Sequence, residues 1–276
     1  MHKKSILITG CSSGIGYSCA QTLHKRGWKV FATCRKQKDC NRLKTEGIES
    51  FLLDYQKEKT IESALQSCLE VTGGTLDAIF NNGAFAIPGA LEDISTGALK
   101  DIFQSNVFGY HELIRLSLPI MRAQGYGRIV NCSSVLGFVA LPFRGAYNST
   151  KFAIEGLSDT LRVELIHSNI KVILIEPGPI TSQIRKNSIP KFEKWVKWEQ
   201  SSRADEYRKL LIPRLYKGNA PDLFELPATA VSKKLIHALE SSKPKTRYFI
   251  TTPTYLLYYL KKILPTKWLD LLISKL

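Results

Sequence analysis

Apolar residues follow two rhythms along this chain, and the rhythms take turns. Short runs rich in β-branched and other apolar residues recur at 5–9, 29–33, 49–53, 78–81, 128–132, 171–176 and 247–251. Runs that short, apolar throughout rather than at every second position, predict strands buried on both faces of a parallel sheet. Between them, at 18–25, 57–71, 98–121 and 146–167, apolar positions return every three or four residues, the period of a helix with one buried face. Strand and helix in alternation predict an α/β fold, a doubly wound parallel sheet of about seven strands.

Two stretches break the alternation. Residues 183–226 hold Trp195, Trp198 and many charges without a strand pattern, and are expected to form a helical insertion over the carboxyl edge of the sheet. Residues 253–276 form an apolar tail dotted with Lys261, Lys262, Lys267 and Lys275. A membrane-spanning helix needs about 20 largely apolar residues, and two lysines and Pro265 at the centre argue against one. Two short amphipathic helices meeting at Pro265 are expected instead. Such a tail suits a membrane surface, the protein's own core or a second subunit of a homodimer or homotetramer, and the pattern does not choose among them. No repeat and no linker rich in Gly, Pro or Ser divides the chain, so residues 1–252 are expected to be one domain and 253–276 its tail.

Composition narrows the partners. There are 276 residues, 44% of them hydrophobic, enough for one large core. The 39 lysines and arginines against 24 acidic residues leave a net charge of +15, which suits an anionic cofactor, nucleic acid or an anionic membrane. The basic residues are spread rather than gathered in one stripe, and no nucleic-acid module is present, so nucleic acid is not expected. Six cysteines show neither a CxxC pair nor histidine spacing for zinc, so no metal and no disulfide framework is expected, and a reducing cytoplasm is the simplest location. The lysines at the start lead straight into Ile6-Leu7-Ile8 without a secretion-signal pattern. The five histidines have no constellation around them and read as surface or satisfied core residues.

The chemistry begins where the first strand ends, in Thr9-Gly10-Cys11-Ser12-Ser13-Gly14-Ile15-Gly16, followed at once by a helical pattern. Glycines in that context let backbone N–H groups approach a pyrophosphate at a helix N-terminus. The second strand ends in Thr33-Cys34-Arg35-Lys36, without the carboxylate that an NAD-preferring protein offers to the ribose hydroxyls. A guanidinium instead favours the 2′-phosphate of NADP(H), with Lys36 and Lys38 as alternative cations.

Tyr147 and Lys151 stand four apart at the start of a helical pattern, on one face. A cation about 4 Å away stabilises tyrosinate by roughly 4 kcal/mol, about three pKa units before desolvation offsets part of it. Lys151 is therefore expected to draw Tyr147 down from about 10 toward neutrality.

These motifs resemble the short-chain dehydrogenase/reductase family over residues 5 to about 182, and in particular its NADP-linked retinal and steroid subset. The resemblance implies a single-domain Rossmann fold with 183–226 as a substrate lid. It makes Asn106, Ser134, Tyr147 and Lys151 the catalytic set. Ser134, thirteen residues before Tyr147 at the end of a strand, would hydrogen-bond the substrate oxygen; alternation turns its neighbour Ser133 to the other face. Asn106 would bend the central helix and hold a proton-relay water, and Lys151 would also hold the nicotinamide ribose. Cofactor contacts are implied at Gly10, Ser12, Ser13, Gly14, Ile15 and Gly16, and at Arg35. Asp54 would meet the adenine. Asn82 and Gly83 belong to Asn81-Asn82-Gly83-Ala84, where the family's Ala and Gly are exchanged. Pro177, Gly178, Ile180 and Ser182 would hold the nicotinamide, with Thr181 a competing hydroxyl. The implied reaction moves a hydride between nicotinamide and a carbonyl or alcohol carbon. Phe138, Val139, Leu141, Pro142 and Phe143 are candidates for a pocket wall, which points to a lipophilic aldehyde or ketone. The alternative from another class is a non-catalytic NADP(H) sensor, which has no use for the complete catalytic set.

Overall fold

The apolar runs become one sheet because their side chains find apolar partners on both faces. In a computed structural model that describes residues 3–216 and 222–274, the strands are β1 (Ser5–Ile8), β2 (Lys29–Cys34), β3 (Glu49–Leu52), β4 (Ala78–Asn81), β5 (Gly127–Cys132), β6 (Ile170–Glu176) and β7 (Arg247–Phe249). Residues 217–221 of the expected insertion, and Lys275 of the expected tail, lie outside the described residues. All seven strands are parallel, in the order β3-β2-β1-β4-β5-β6-β7. The direction of winding reverses between β1 and β4, which opens a crevice at their carboxyl ends.

Along the first half run α1 (Gly14–Lys25), α2 (Gln37–Thr45), α3 (Glu58–Thr72), α4 (Thr96–Phe103) and α5 (Gly109–Gln124). Then come α6 (Gly145–Glu164), α7 (Ile184–Trp195), α8 (Ala204–Glu206), α9 (Ile212–Tyr216) and α10 (Thr229–Glu240). Ile6 and Ile8 of β1 face one core with Phe80, Val130 and Ile173, closed by α1, α2 and α10. Leu7 between them faces the other with Ile79, Ile129 and Leu174, closed by α3, α5 and α6.

One expectation needs correction. The periodic stretch 98–121 is not a continuous helix: a π-helical turn, Gln104–Phe108, separates α4 from α5. A periodicity of three to four does not register one extra residue in a turn.

The insertion is helical, as its pattern predicts, and it is tied down rather than loose. Asp101 on α4 accepts from Lys191 Nζ at 2.8 Å and Trp195 Nε1 at 2.9 Å, and the fully buried Tyr207 donates to Asp93 at 2.6 Å.

The tail forms α11 (Thr252–Ile263) and α12 (Thr266–Ile273), which meet at Pro265. Its inner face, including Leu257, Leu264, Leu269 and Ile273, covers Phe138 and Val139 of the protein's own body. Its outer face carries exposed Leu256, Tyr259, Ile263 and Trp268. Among the described residues, no helix is long and apolar enough to cross a membrane.

Candidate active site

The turn after β1 is shaped by close approach. A Cβ on Gly10 would stand 2.7 Å from the Gly83 Cα, and one on Gly16 would stand 2.4 Å from the Gly10 carbonyl oxygen. Gly10 also has φ +71°, which an L side chain rarely adopts. Thr9 clamps the turn to the end of β4: its hydroxyl accepts from the Asn82 and Gly83 N–H groups at 2.9 and 3.0 Å and lies 2.8 Å from the buried Tyr55 hydroxyl. The Gly83 position has room for the family's alanine, with nothing nearer than 3.4 Å to its Cβ, so the exchange with Ala84 leaves the turn intact.

This turn opens a cavity of about 1110 Å³. Ser12, Ser13, Gly14 and Ile15 line it at the N-terminus of α1, while Gly16 lies beneath. Sequence reading missed Arg42, whose guanidinium donates to the Ser12 carbonyl at 2.7 Å and covers the Tyr17 ring at 5.0 Å. At the end of β2 the exposed Arg35 lines the cavity, and Lys36 and Lys38 do not. Asp54, after β3, borders the same end.

The opposite end gathers the candidate catalytic groups. Ser134 follows β5 and lines the cavity, its hydroxyl donating to the Pro177 carbonyl at 3.3 Å and accepting from Leu136 N–H at 3.2 Å. The Ser133 hydroxyl is buried without a hydrogen-bond partner among the described residues. Tyr147 and Lys151, one turn apart on α6, share the Ser134 wall. Lys151 is 1% exposed, and its ammonium donates to the Cys132 carbonyl at 2.7 Å.

The expected pull of Lys151 on Tyr147 is overturned. Burial pushes the phenol well above its ordinary value, and the Ser134 hydroxyl and the Arg144 charge only partly oppose it. Burial likewise lowers the Lys151 ammonium. Spacing brings the two together, but desolvation decides the sign.

Asn106 sits in the π-helical turn and is fully buried. Its amide accepts from Phe85 N–H at 3.1 Å and donates to the Phe85 carbonyl at 2.9 Å and to Thr150 at 3.2 Å. It stands behind the cavity wall rather than in it.

Residues 4–192 match the family model for short chain dehydrogenases. The chain belongs to the short-chain dehydrogenase/reductase family. Over 268 residues it is 40% identical to an uncharacterized oxidoreductase, YbbO, of Escherichia coli, covering 97% of this chain and 93% of that protein. It is 32% identical to the 17-beta-hydroxysteroid dehydrogenase type 6 of Rattus norvegicus, covering 99% and 89%. Among solved structures, a short-chain dehydrogenase from Streptomyces avermitilis superposes with a TM-score of 0.79 at 26% identity, covering 95% of this chain and 94% of that one.

Within this short-chain dehydrogenase/reductase, the loop after β6 closes the cavity through Pro177, Gly178, Ile180 and Ser182. The Thr181 hydroxyl is turned toward the Leu226 carbonyl, 3.5 Å away, and the Glu225 carboxylate, whereas Ser182 packs against Gly14, its Cβ 3.3 Å from where a Gly14 Cβ would stand.

The expected pocket wall between Ser134 and Tyr147 is mostly not one. Leu141 lines the cavity, but Phe138 and Val139 are buried under the tail and Phe143 meets Tyr207 edge-on at 5.2 Å. Apolar lining comes instead from Val135, Leu136 and lid residues Ile184, Ile189 and Leu215. Sequence reading also missed Arg144 in that wall, since a lone arginine in a loop carries no periodic signal.

Proposed function

We propose that this oxidoreductase uses NADP(H) to interconvert a carbonyl and an alcohol, and that it reduces a lipophilic aldehyde or ketone. The observation that carries the reading is that Ser134, Tyr147 and Lys151 share one wall of the cavity whose far end is formed by the glycine turn and Arg35. The cradle fits a dinucleotide: Ser12, Ser13, Gly14 and Ile15 line it where α1 presents its N-terminus, and Arg35 offers a guanidinium for a 2′-phosphate. When bound, the cofactor supplies the hydride that reaches the carbonyl carbon.

The residues handle the oxygen. Ser134 donates a hydrogen bond to it, and Tyr147, held protonated by burial, gives it the proton that completes the alcohol. Lys151 would hold the ribose hydroxyls and, with a water relayed from the turn that Asn106 braces, would return a proton to Tyr147. Ser182 rather than Thr181 would meet the carboxamide, since the Thr181 hydroxyl is engaged by Leu226 and Glu225. The apolar lining from Leu136, Leu141, Ile184 and Ile189 supports a lipophilic substrate body, as does the kinship with a hydroxysteroid dehydrogenase. Six buried, unpaired thiols suit the reducing cytoplasm, and the exposed outer row of α11 and α12 suits the inner face of a membrane.

The test is Tyr147→Phe, assayed by NADPH absorbance on a panel of aldehydes and ketones. Turnover should fall about 10²- to 10⁴-fold while NADPH affinity, read by fluorescence titration, stays within a few-fold. Retained turnover would assign the proton elsewhere. A wild-type protein that binds NADPH and turns over nothing would favour the sensor.

A further inference from the structure

The substrate half of the cavity is basic. Arg144, Arg185, Lys186 and Arg214 line it with only Asp222 and Glu225 as carboxylates. Asp222 is already shared: its two oxygens accept from Arg185 at 3.0 Å and from Arg214 at 3.1 Å. Glu225 is engaged by the Asp222 N–H at 2.9 Å. Among the described residues, no hydrogen bond or ion pair reaches the Arg144 guanidinium. The chain at 217–221 contains no carboxylate that might serve it. The half-buried Arg144 guanidinium therefore faces the cavity as a cation without a carboxylate of its own.

The fold holds Arg144 there deliberately. The preceding Phe143 has φ +59°, an outlier for a bulky residue that persists only where its surroundings impose it. Here they do: its carbonyl accepts from Gly89 N–H at 2.9 Å, its ring meets the buried Tyr207 edge-on, and Arg203 covers it at 4.9 Å. Arg144 also begins the helix that carries Tyr147 three residues on, so whatever it binds lies close to the proton donor. Burial first, and then the charges of Arg214 and Arg185, pull its pKa down to about 10 against the opposing Asp222 carboxylate, which leaves it cationic near neutrality.

Building on the carbonyl-reductase reading above, we propose that Arg144 is a specificity-determining residue that receives an anionic group of the substrate, a carboxylate in the first instance. The substrate is then amphiphilic: the apolar wall of Leu136, Leu141 and Ile189 takes its hydrocarbon body, and Arg144 takes the charged end by the bidentate geometry that guanidinium and carboxylate share. Arg185 and Arg214, held by Asp222, add positive potential around the same end.

The test uses ω-oxo-carboxylates of short, medium and long chain, each beside its methyl ester, which keeps the aldehyde and the chain but removes the charge. For wild-type enzyme, kcat/KM should favour the acid over the ester by about 10- to 100-fold at the best length. Arg144→Met should bring the acid-to-ester ratio to near one, and Arg144→Lys, with a charge but no fork, should keep an intermediate ratio. An ester preferred by wild type, or a ratio unmoved in Arg144→Met, overturns the assignment while leaving the reductase reading intact. So does a change confined to the NADPH KM, which would give Arg144 to the cofactor, and so does an equal loss on acid and ester with a shifted pH profile, which would make it a tuner of Tyr147. Absence of turnover on every acid and ester would sink the parent reading with it.

Discussion

The Thr251 hydroxyl oxygen lies 2.1 Å from the point where a Cβ on Gly178 would stand, and the Thr254 hydroxyl lies 2.7 Å from it. Both threonines are fully buried, and their hydroxyls are 3.0 Å apart at the start of α11. The tail is thereby seated directly on the loop that closes the cofactor cavity.

Gly178→Ala should therefore loosen tail and loop together. Overpacking of this kind costs about 1–3 kcal/mol, so the melting temperature should fall and the NADPH Kd should rise in the same variant. Adding Thr251→Ala removes the nearer oxygen and should restore part of both losses, which a double-mutant cycle of melting temperature and cofactor titration would read. Independent, additive effects would show that the two positions are not coupled.

Arg35→Asp should shift preference from NADP(H) toward NAD(H). Arg35 is the cation at the β2 end that lines the cavity, and a carboxylate there would repel a 2′-phosphate and accept from ribose hydroxyls. The ratio of kcat/KM for the two cofactors should move at least about tenfold. An unmoved ratio would make Arg35 a bystander.

Arg247 on β7 faces three carboxylates with one positive charge: it donates to Glu176 and Asp159 at 2.6 Å each and also pairs with Glu155. Burial, and then the Glu155 charge, push Glu176 from the ordinary 4.5 up to about 8 against the opposing Arg247. An acid whose folded pKa is raised binds its proton more tightly in the folded state, so its contribution to stability is present at low pH and is lost as pH rises from about 4.5 to 8. Glu176→Gln should flatten that dependence, with wild type losing roughly 5 °C more than the variant between those pH values in thermal melts. Parallel melting curves across pH would assign the proton elsewhere.

The strands were legible to within two residues because burial on both faces writes itself as unbroken apolar runs. The last run, 247–251, ends early at Phe249 because Thr251 has become the N-cap of α11. Helix α2 escaped notice because its segment is mostly polar and buries only Cys40 and Leu43. The glycine turn and the Ser134, Tyr147 and Lys151 positions were readable because each depends on local spacing. Arg144 was not, since its meaning depends on Arg214 and Asp222, which are supplied from a lid some seventy residues later. The sign of the Tyr147 shift was illegible for the same reason: burial is a property of the assembled wall, not of the Tyr-x3-Lys spacing.

The tail's outer face allows a test that deletion does not. Removing α11 and α12 would uncover Phe138 and Val139, so a truncated protein that fails would say nothing about a membrane. The outer side chains are another matter: Tyr259 is 56%, Ile263 75% and Trp268 65% exposed, and Lys261, Lys262 and Lys267 flank them. An apolar row edged with ammonium groups on a chain of net charge +15 fits an anionic lipid surface, where each lysine near the headgroups is worth about 1 kcal/mol. Full-length protein should sediment with phosphatidylserine vesicles and much less with phosphatidylcholine ones. Trp268→Glu with Ile263→Glu should weaken that binding at least about tenfold while the melting temperature stays near wild type, because neither side chain touches the inner face; Lys261→Glu with Lys262→Glu should weaken it too but lower the melting temperature, since the two ammonium groups lie over the Phe152 and Tyr258 rings at 5.0 and 4.3 Å. Binding that ignores lipid charge, or wild type that instead forms a dimer which Trp268→Glu dissociates, would give this face to another copy of the chain and not to a membrane.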